Sequence, residues 1–258
     1  EGNSNIEEEY LINYLRRKGY SEEHISKAIF ELQQVATNFS DGLYTTNKNV
    51  YSKLRNGVKV KVSAGKNYDT VKLINWQDPE DNDFYIAEEV TLKGNKTKRP
   101  DIVLYINGIA IAVLELKRGI VDIGEGVRQN ITNMQDRFIK PFFATNQILF
   151  AGNDAEGLQY GTISSPEKFY LSWKEDVEDS SRLLLDKYLI KMCSKERIIE
   201  LIYDFIQEME FLCMKKLGLT EDDASKLNQL IKRAEKNQRG IIFAKRIKRT
   251  ENIILKFL

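Results

Sequence analysis

The hydrophobic pattern of the chain is clearest between residues 99 and 129, where two apolar runs flank Asn107-Gly108. An Asn-Gly dipeptide between apolar runs is the strongest short-range signal of a β-hairpin turn. The pattern predicts one strand from Ile102 to Ile106 and a second from Ile109 to Leu116. Both runs are rich in Val, Ile and Ala, which is typical of strands covered on both faces. We therefore expect the hairpin to lie inside a covered sheet.

The segments around the hairpin carry the periods of helices and strands. Helices are predicted at 7–17, 21–38 and 127–138, and further strands at 57–62, 71–76, 84–92, 147–151, 157–164 and 169–173. Helices before and after the core strands favour an α/β fold, a mixed β-sheet flanked by helices. Beyond an acidic stretch at 174–179, helices are predicted at 183–192, 195–211, 220–236 and 241–258. The sequence thus predicts one domain over residues 1–175 and a helical extension over 176–258.

Three charged side chains interrupt the apolar runs at the end far from the turn: Asp101, Glu115 and Lys117. Burying a charge costs on the order of several kcal/mol unless the charge is paired or binds a metal. Mg²⁺ prefers carboxylate and carbonyl oxygens and takes one or two protein carboxylates. We expect Asp101 and Glu115 to bind Mg²⁺, with the Leu116 carbonyl as a third ligand. Lys117 projects from the same strand face as Glu115, where it can position or deprotonate the attacking water.

A Glu-x-Lys sequence alone is more often an ion pair on an edge strand than a catalytic site, because both residues are common. The context is more specific, since Pro-Asp opens the first strand and Glu-Leu-Lys closes the second. This is the D-(x)n-E-x-K arrangement of metal-dependent nucleases.

The pairing register of the hairpin decides whether the two carboxylates can meet. With a regular two-residue turn, Asp101 would pair with Leu114 and point to the opposite face from Glu115. A single metal site therefore requires a shift of one residue, by a three-residue loop or by a β-bulge in one strand. The shift is predicted to place one set of side chains on the site's face, Asp101, Val113, Glu115 and Lys117, and another set on the opposite face, Ala110, Ala112 and Leu114.

A short basic segment precedes Asp101 and contains no acid: Lys93, Lys96, Lys98 and Arg99. A solvated loop is the ordinary interpretation of such a run. Because this one continues directly into Asp101, we expect it to contact DNA phosphates. A second basic stretch, at 232–249, has eight Lys or Arg and one Glu. Phosphate contact and a solvated helix are both compatible with it.

The stretch RPDIVLYINGIAIAVLELKRG resembles the nuclease core at the amino end of the R (endonuclease and motor) subunit of type I restriction enzymes. This core belongs to the PD-(D/E)xK superfamily. The resemblance runs from about Glu8 to Trp173 and includes FYIAEEVTLKGNKTKRPD and ILFAGNDAEGLQYGTIS. It implies a restriction-endonuclease-like core, with metal ligands at Asp101 and Glu115 and the catalytic lysine at Lys117.

Two predicted helices carry further residues that the resemblance makes functional. It implies a metal ligand at Glu8, although glutamates at a helix start also complement the positive end of the helix dipole. It implies a catalytic role for Gln129, which matches the first residue of the family's Gln-x-x-x-Tyr motif, whereas an exposed glutamine is the alternative. Asn133 stands at the tyrosine position.

Composition excludes several other classes of protein. The 258 residues are 42% hydrophobic and 30% charged, and 39 basic residues balance 38 acidic ones. Cys193 and Cys213 are too few for a disulfide framework, so reduced thiols in a cytoplasmic protein are expected. No apolar run approaches the length of a transmembrane helix. One histidine, His24, gives little support to a histidine-dependent triad, and the phosphate-binding loop motif of ATPases is absent.

The expected function is that of the Mg²⁺-dependent endonuclease domain of a type I site-specific deoxyribonuclease. It would hydrolyse phosphodiester bonds of double-stranded DNA without sequence specificity of its own, and modification and specificity subunits would supply recognition. ATP is expected to bind only the motor region of the full-length protein, and this chain is expected to end before that motor. The alternatives are a non-catalytic DNA-binding or assembly module and a stand-alone repair or recombination nuclease with the same core.

Overall fold

The structure is a computed structural model that describes residues 4–62, 67–174 and 181–205. The described residues up to Tyr203 belong to one compact unit. The acidic stretch, Cys213, the basic stretch at 232–249 and the helices predicted at 220–236 and 241–258 lie outside the described residues, apart from Lys174. The domain boundary near residue 175 stays a prediction.

The described part of the chain contains eight strands: β1 (Val58–Val60), β2 (Asp69–Val71), β3 (Phe84–Glu88), β4 (Ile102–Ile106), β5 (Ile109–Leu116), β6 (Ile148–Asn153), β7 (Gly157–Gly161) and β8 (Leu171–Ser172). β1 and β2 form a small antiparallel sheet. The other six form a sheet in chain order from β3 to β8. Only β5 and β6 of this sheet pair in parallel, so it is mixed.

Six α-helices accompany these strands in the described ranges: α1 (Glu8–Arg17), α2 (Glu22–Ala36), α3 (Gly42–Asn56), α4 (Gly124–Asn133), α5 (Leu184–Met192) and α6 (Lys195–Glu200). Short 3₁₀ turns lie at Pro79–Asp81, Lys140–Ala144 and Glu167–Phe169, and a π-helical turn at Leu201–Phe205. The predicted α/β class, a mixed sheet with flanking helices, is confirmed. None of these helices combines the length and apolar character needed to cross a membrane.

The sequence prediction was least accurate away from the hairpin. Helix α3 was not predicted, because buried polar residues interrupt its apolar pattern: the Thr46 hydroxyl donates to the Gly42 carbonyl, and the Asn47 amide donates to the Ala144 and Asn146 carbonyls. The strand predicted at 71–76 is wrong beyond Val71, where β2 ends. Helix α4 ends at Asn133 rather than near residue 138.

The hairpin of β4 and β5 contains the predicted shift of register. Asn107 and Gly108 form a two-residue turn with left-handed φ values of 51° and 81°. Tyr105 pairs with Ala110 but Leu104 pairs with Ala112, so Ile111 is an extra residue in β5. This β-bulge pairs Ile102 with Leu114. Asp101 therefore lies on the same face as Glu115, as predicted.

One part of the predicted register was wrong, and the position of the bulge explains it. The bulge lies between Ala110 and Ala112, so only the residues beyond it change face. Ala110 consequently packs with Val103 and Val113 on the site's side of the sheet, not on the opposite side.

Helix α4 connects the parallel strands β5 and β6 and lies close to both. Val127 of α4 packs with Val113 and Ala151 in the core on this face. A Cβ atom at Gly126 would lie 3.0 Å from the Ala151 Cβ and 3.4 Å from the Glu115 carbonyl oxygen. The absence of a side chain at Gly126 thus lets the helix approach the strands and brings its next turns toward Glu115.

We expect Gly126→Val to lower the free energy of unfolding by about 1–3 kcal/mol, since the added methyl groups would overpack the helix against β6. Urea denaturation measures the change. Gly119→Val is the matched control, because a Cβ there would be 3.8 Å from Ala155, an ordinary contact. Its cost should stay below about 0.5 kcal/mol. Equal losses in the two variants would contradict the close approach of α4.

Candidate metal and catalytic site

The carboxylate of Glu115 lies at the centre of the site. Its side chain projects from β5 beneath α4, and the residue is 0% exposed. One carboxylate oxygen accepts a hydrogen bond from Gln129 Nε2 at 2.6 Å and the other accepts one from Asn133 Nδ2 at 3.2 Å. Two side chains of α4, one turn apart, therefore fix the orientation of the Glu115 carboxylate.

Asp101 approaches the same site from the residue before β4. Its Oδ2 accepts a hydrogen bond from the Leu116 backbone N–H at 2.7 Å. In an extended strand the N–H and C=O of one residue point to the same side, so the Leu116 carbonyl is expected on the side of Asp101. The carboxyl groups of Asp101 and Glu115 therefore lie together at the open end of the hairpin, where the Leu116 carbonyl is also expected.

Gln129 connects the acidic and basic parts of the site. Its Oε1 accepts a hydrogen bond from Lys117 Nζ at 2.6 Å, while its Nε2 donates to Glu115. The ammonium group of Lys117 is thereby held near the Glu115 carboxylate without a direct ion pair between them. The structure thus brings together the four predicted catalytic residues, Asp101, Glu115, Lys117 and Gln129.

Asn133 is a further contact of Glu115, to which sequence reasoning assigned no role. Its side chain is buried, and its Oδ1 has no hydrogen-bond partner among the described residues. The signal for it was positional, because Asn133 follows Gln129 by one helical turn and must face the same strand. The side-chain amide of Asn133 donates a hydrogen bond to the Glu115 carboxylate.

The pKa of the Glu115 carboxyl is raised from its ordinary 4.5 to about 8. Burial is the largest cause, followed by the negative charge of the neighbouring Asp101 carboxylate. The ammonium groups of Lys117 and Lys98 act in the opposite direction. Loss of the Glu115 proton would thus place a second negative charge beside Asp101 in a buried site.

The structure does not bring Glu8 to these residues. Helix α1 begins beside the hairpin turn, where the Glu7 N–H donates to the Gly108 carbonyl. Glu115 lies six residues beyond Ile109, at the other end of β5, or roughly 20 Å along the strand. The Glu8 carboxylate instead accepts a hydrogen bond from Gln33 Nε2 at 2.6 Å.

The donor set fits Mg²⁺ without Glu8. Among the described residues, no three or more His, Cys, Asp and Glu side chains form a group able to hold a metal. Mg²⁺ does not need such a group, because it binds through one or two carboxylates and keeps several waters. A divalent cation bound there would favour the ionised form of Glu115 and neutralise the two adjacent carboxylates.

The basic residues before Asp101 have different surroundings. Lys98 and Lys96 lie with their Nζ atoms 4.3 and 5.9 Å from the centre of the Phe138 ring. Arg99 forms an exposed ion pair with Glu89 at 3.3 Å, whereas Lys93 lines a cleft with residues of α2.

Comparison with known proteins identifies the family. A family model described as the N terminus of the type I restriction enzyme R protein matches residues 2–168. Since this match spans most of the chain, the chain belongs to that family. The resemblance seen in the sequence is confirmed.

Two curated relatives are also named as type I restriction enzyme endonuclease subunits. The chain is 28% identical over 184 residues to a putative type I restriction enzyme MjaIXP endonuclease subunit of Methanocaldococcus jannaschii, which covers 60% of this chain and 17% of the relative. It is 25% identical over 187 residues to the type I restriction enzyme HindI endonuclease subunit of Haemophilus influenzae, covering 69% and 17%. The chain thus spans about a sixth of the length of these curated relatives.

The raised pKa of Glu115 predicts how stability depends on pH when no divalent cation is present. Between pH 4.5 and about 8 the folded protein holds a proton that the unfolded chain releases. The free energy of unfolding should therefore fall as the pH rises through this range, by an amount on the order of a few kcal/mol. Glu115→Gln, which cannot ionise, should lose this dependence and gain stability relative to the wild type at pH 8.5.

Urea denaturation in EDTA at pH 5 and at pH 8.5 measures the difference. Glu88→Gln, on the exposed edge strand β3, is the control and should follow the wild type at both pH values. Parallel stability curves for the wild type and Glu115→Gln would contradict the raised pKa.

Proposed function

We propose that this chain is the divalent-metal-dependent endonuclease region of a type I restriction R subunit. The observation that carries the proposal is the position of Asp101 and Glu115 on one face of the hairpin, beside Lys117. Metal-dependent hydrolysis of a phosphodiester needs carboxylates that bind the cation and a group that positions or deprotonates the attacking water. The family and the endonuclease names of its members support the same reaction.

Asp101, Glu115 and the Leu116 carbonyl are the proposed metal ligands. A Mg²⁺ ion bound there would act as a Lewis acid that stabilises the charge developing on the phosphate. Gln129 and Asn133 hold the Glu115 carboxylate in place before substrate arrives, which lowers the cost of assembling the site. Because burial raises the pKa of Glu115, a bound cation would favour the ionised carboxylate, and the side chain would exchange its proton for the metal.

Lys117 is the residue proposed to act on the nucleophile. Its Nζ atom is fixed by Gln129 Oε1 and retains further N–H donors for a water molecule or a phosphate oxygen. The ammonium group can orient the attacking water and offset negative charge on the scissile phosphate. Gln129 is then a positioning residue, since it touches both Lys117 and Glu115.

The proposed substrate is double-stranded DNA, and the segment Lys93–Arg99 is the proposed phosphate contact. The segment leads directly into Asp101, and its lysines balance part of the charge around the site. The sequence contains no candidate helix with base-reading residues, so the chain is proposed to cut without its own specificity. Modification and specificity subunits are the proposed partners that recognise the DNA sequence.

Substitution of Lys117 by Met should lower DNA cleavage more than about 100-fold, because it removes the ammonium group and keeps an aliphatic chain of similar length. Glu115→Gln should have an equal or larger effect, because it removes a ligand charge. Linearisation of a plasmid that bears recognition sites, by a complex assembled with the full-length R subunit, measures both.

Lys72→Met and Glu88→Gln are the matched controls, because both side chains are exposed. Lys72 follows β2, and Glu88 pairs with Ile102 and so lies on the sheet face opposite to Asp101 and Glu115. They should cut at the wild-type rate, and ATP hydrolysis by the motor region should be unchanged in all four variants. Wild-type cutting by Lys117→Met and Glu115→Gln would contradict the proposed function and favour a non-catalytic DNA-binding module.

A further inference from the structure

The ring of Phe138 is surrounded by cations from two separate stretches of the chain. Lys98 Nζ lies 4.3 Å from the ring centre, the guanidinium carbon of Arg137 5.0 Å, and Lys96 Nζ 5.9 Å. The two lysines belong to the loop before β4, whereas Arg137 follows α4. We refer to Lys96, Lys98, Arg137 and Phe138 as the Phe138 cluster.

Backbone contacts fix the loop of the Phe138 cluster against the segment after α4. The Asn95 N–H donates to the Phe138 carbonyl at 3.1 Å, and the Asn95 amide donates to the Asp136 carbonyl at 2.6 Å. Reciprocal hydrogen bonds between Leu92 and Lys98 close the loop. A Cβ at Gly94 would be only 2.2 Å from the Phe138 carbonyl oxygen, so the backbones touch. These backbone contacts therefore hold together the two segments that carry the cations.

In the part of the chain that the structure describes, none of the three cations of the Phe138 cluster forms an ion pair with an acidic side chain. The nearby Asp136 carboxylate pairs with Lys140 at 2.7 Å, and Glu89 pairs with Arg99. The Arg137 Nε donates to the neutral Gln135 amide. Three cations around one ring repel one another, and the electron-rich ring face offsets only part of this repulsion. An anion bound between them would remove the repulsion.

The Phe138 cluster is near the candidate active site. Its loop continues through Arg99 and Pro100 into Asp101, and the charge of Lys98 acts on the Glu115 carboxyl. The Asn133–Ile139 backbone hydrogen bond ties the Arg137 segment to the last turn of α4. An extended polyanion that enters the active site can thus reach the cluster.

We propose that Lys96, Lys98 and Arg137 form one binding site for backbone phosphates of duplex DNA beside the cleaved bond, with Phe138 as its scaffold. This inference rests on the proposed function and deepens it. It adds Arg137 and Phe138 to the proposed DNA contacts and leaves Lys93 and Arg99 out of this phosphate-binding site. The ring is covered by cations, so it orients the cationic side chains instead of stacking on a base. Ordering the long side chains in advance lowers the entropy cost of binding.

Binding of the 258-residue chain to a labelled duplex, in EDTA over a range of NaCl concentrations, tests the inference without cleavage. Arg137→Ala should weaken binding roughly 3- to 10-fold and lower the log-log salt slope by about 0.9 for the lost phosphate contact. Lys61→Ala is the matched control, since Lys61 also lies over an aromatic ring, Tyr68 at 5.9 Å, but belongs to the segment after β1 of the small sheet. It should bind like the wild type.

Phe138→Leu gives a second and independent readout. It removes the ring but no charge, so weaker binding would show that the ring organises the cations, which general electrostatics does not predict. The inference is overturned if Arg137→Ala matches Lys61→Ala and Phe138→Leu matches the wild type while the wild type binds DNA. That result leaves the proposed nuclease function intact. A wild-type chain that binds no duplex DNA would overturn both the inference and the proposed substrate.

Discussion

The buried carboxylate of Glu115 is the interaction on which the site's arrangement depends. A charge in the core of a sheet must be held by donors or by a cation, and the structure supplies donors through α4, whose Gln129 and Asn133 reach both oxygens. That contact requires the close approach at Gly126. It also requires the bulge at Ile111, which turns Asp101 to the same face. The packing of a helix and one extra residue in a strand thus combine to bring two carboxyl groups together at the open end of the hairpin.

The sequence was sufficient to predict the hairpin, its strand ends and the convergence of Asp101 with Glu115. The Asn-Gly turn and the continuous apolar runs are local signals, and the register followed from the requirement that two carboxylates share a face. Which residue bulges depends on packing around both strands, so the face of Ala110 was not predictable. Helix α3 was missed because Thr46 and Asn47 are buried through hydrogen bonds to backbone carbonyls, which hydrophobic periodicity does not detect.

The site and the surface beside it carry opposite charges, and the same segments build both. The loop that supplies Lys96 and Lys98 leads into Asp101, while the helix that supplies Gln129 leads to Arg137 and Phe138. Without other charges nearby, carboxylates that favour a divalent cation would repel the phosphates of a nucleic acid. The adjacent cations offset this, so the proposed metal and phosphate sites depend on each other electrostatically. Glu8 has no part in this arrangement in the structure, since α1 begins at the hairpin's turn.

Calorimetric titration of the 258-residue chain with Mg²⁺, in two buffers of different ionisation enthalpy at pH 7, tests the central claim most directly. If Asp101 and Glu115 form one divalent-cation site, the wild type should bind one ion and release about one proton, because the Glu115 carboxyl is largely protonated at this pH. Asp101→Asn should weaken binding, and Glu115→Gln should weaken it and abolish proton release. Unchanged affinity and proton release in both variants would contradict the account.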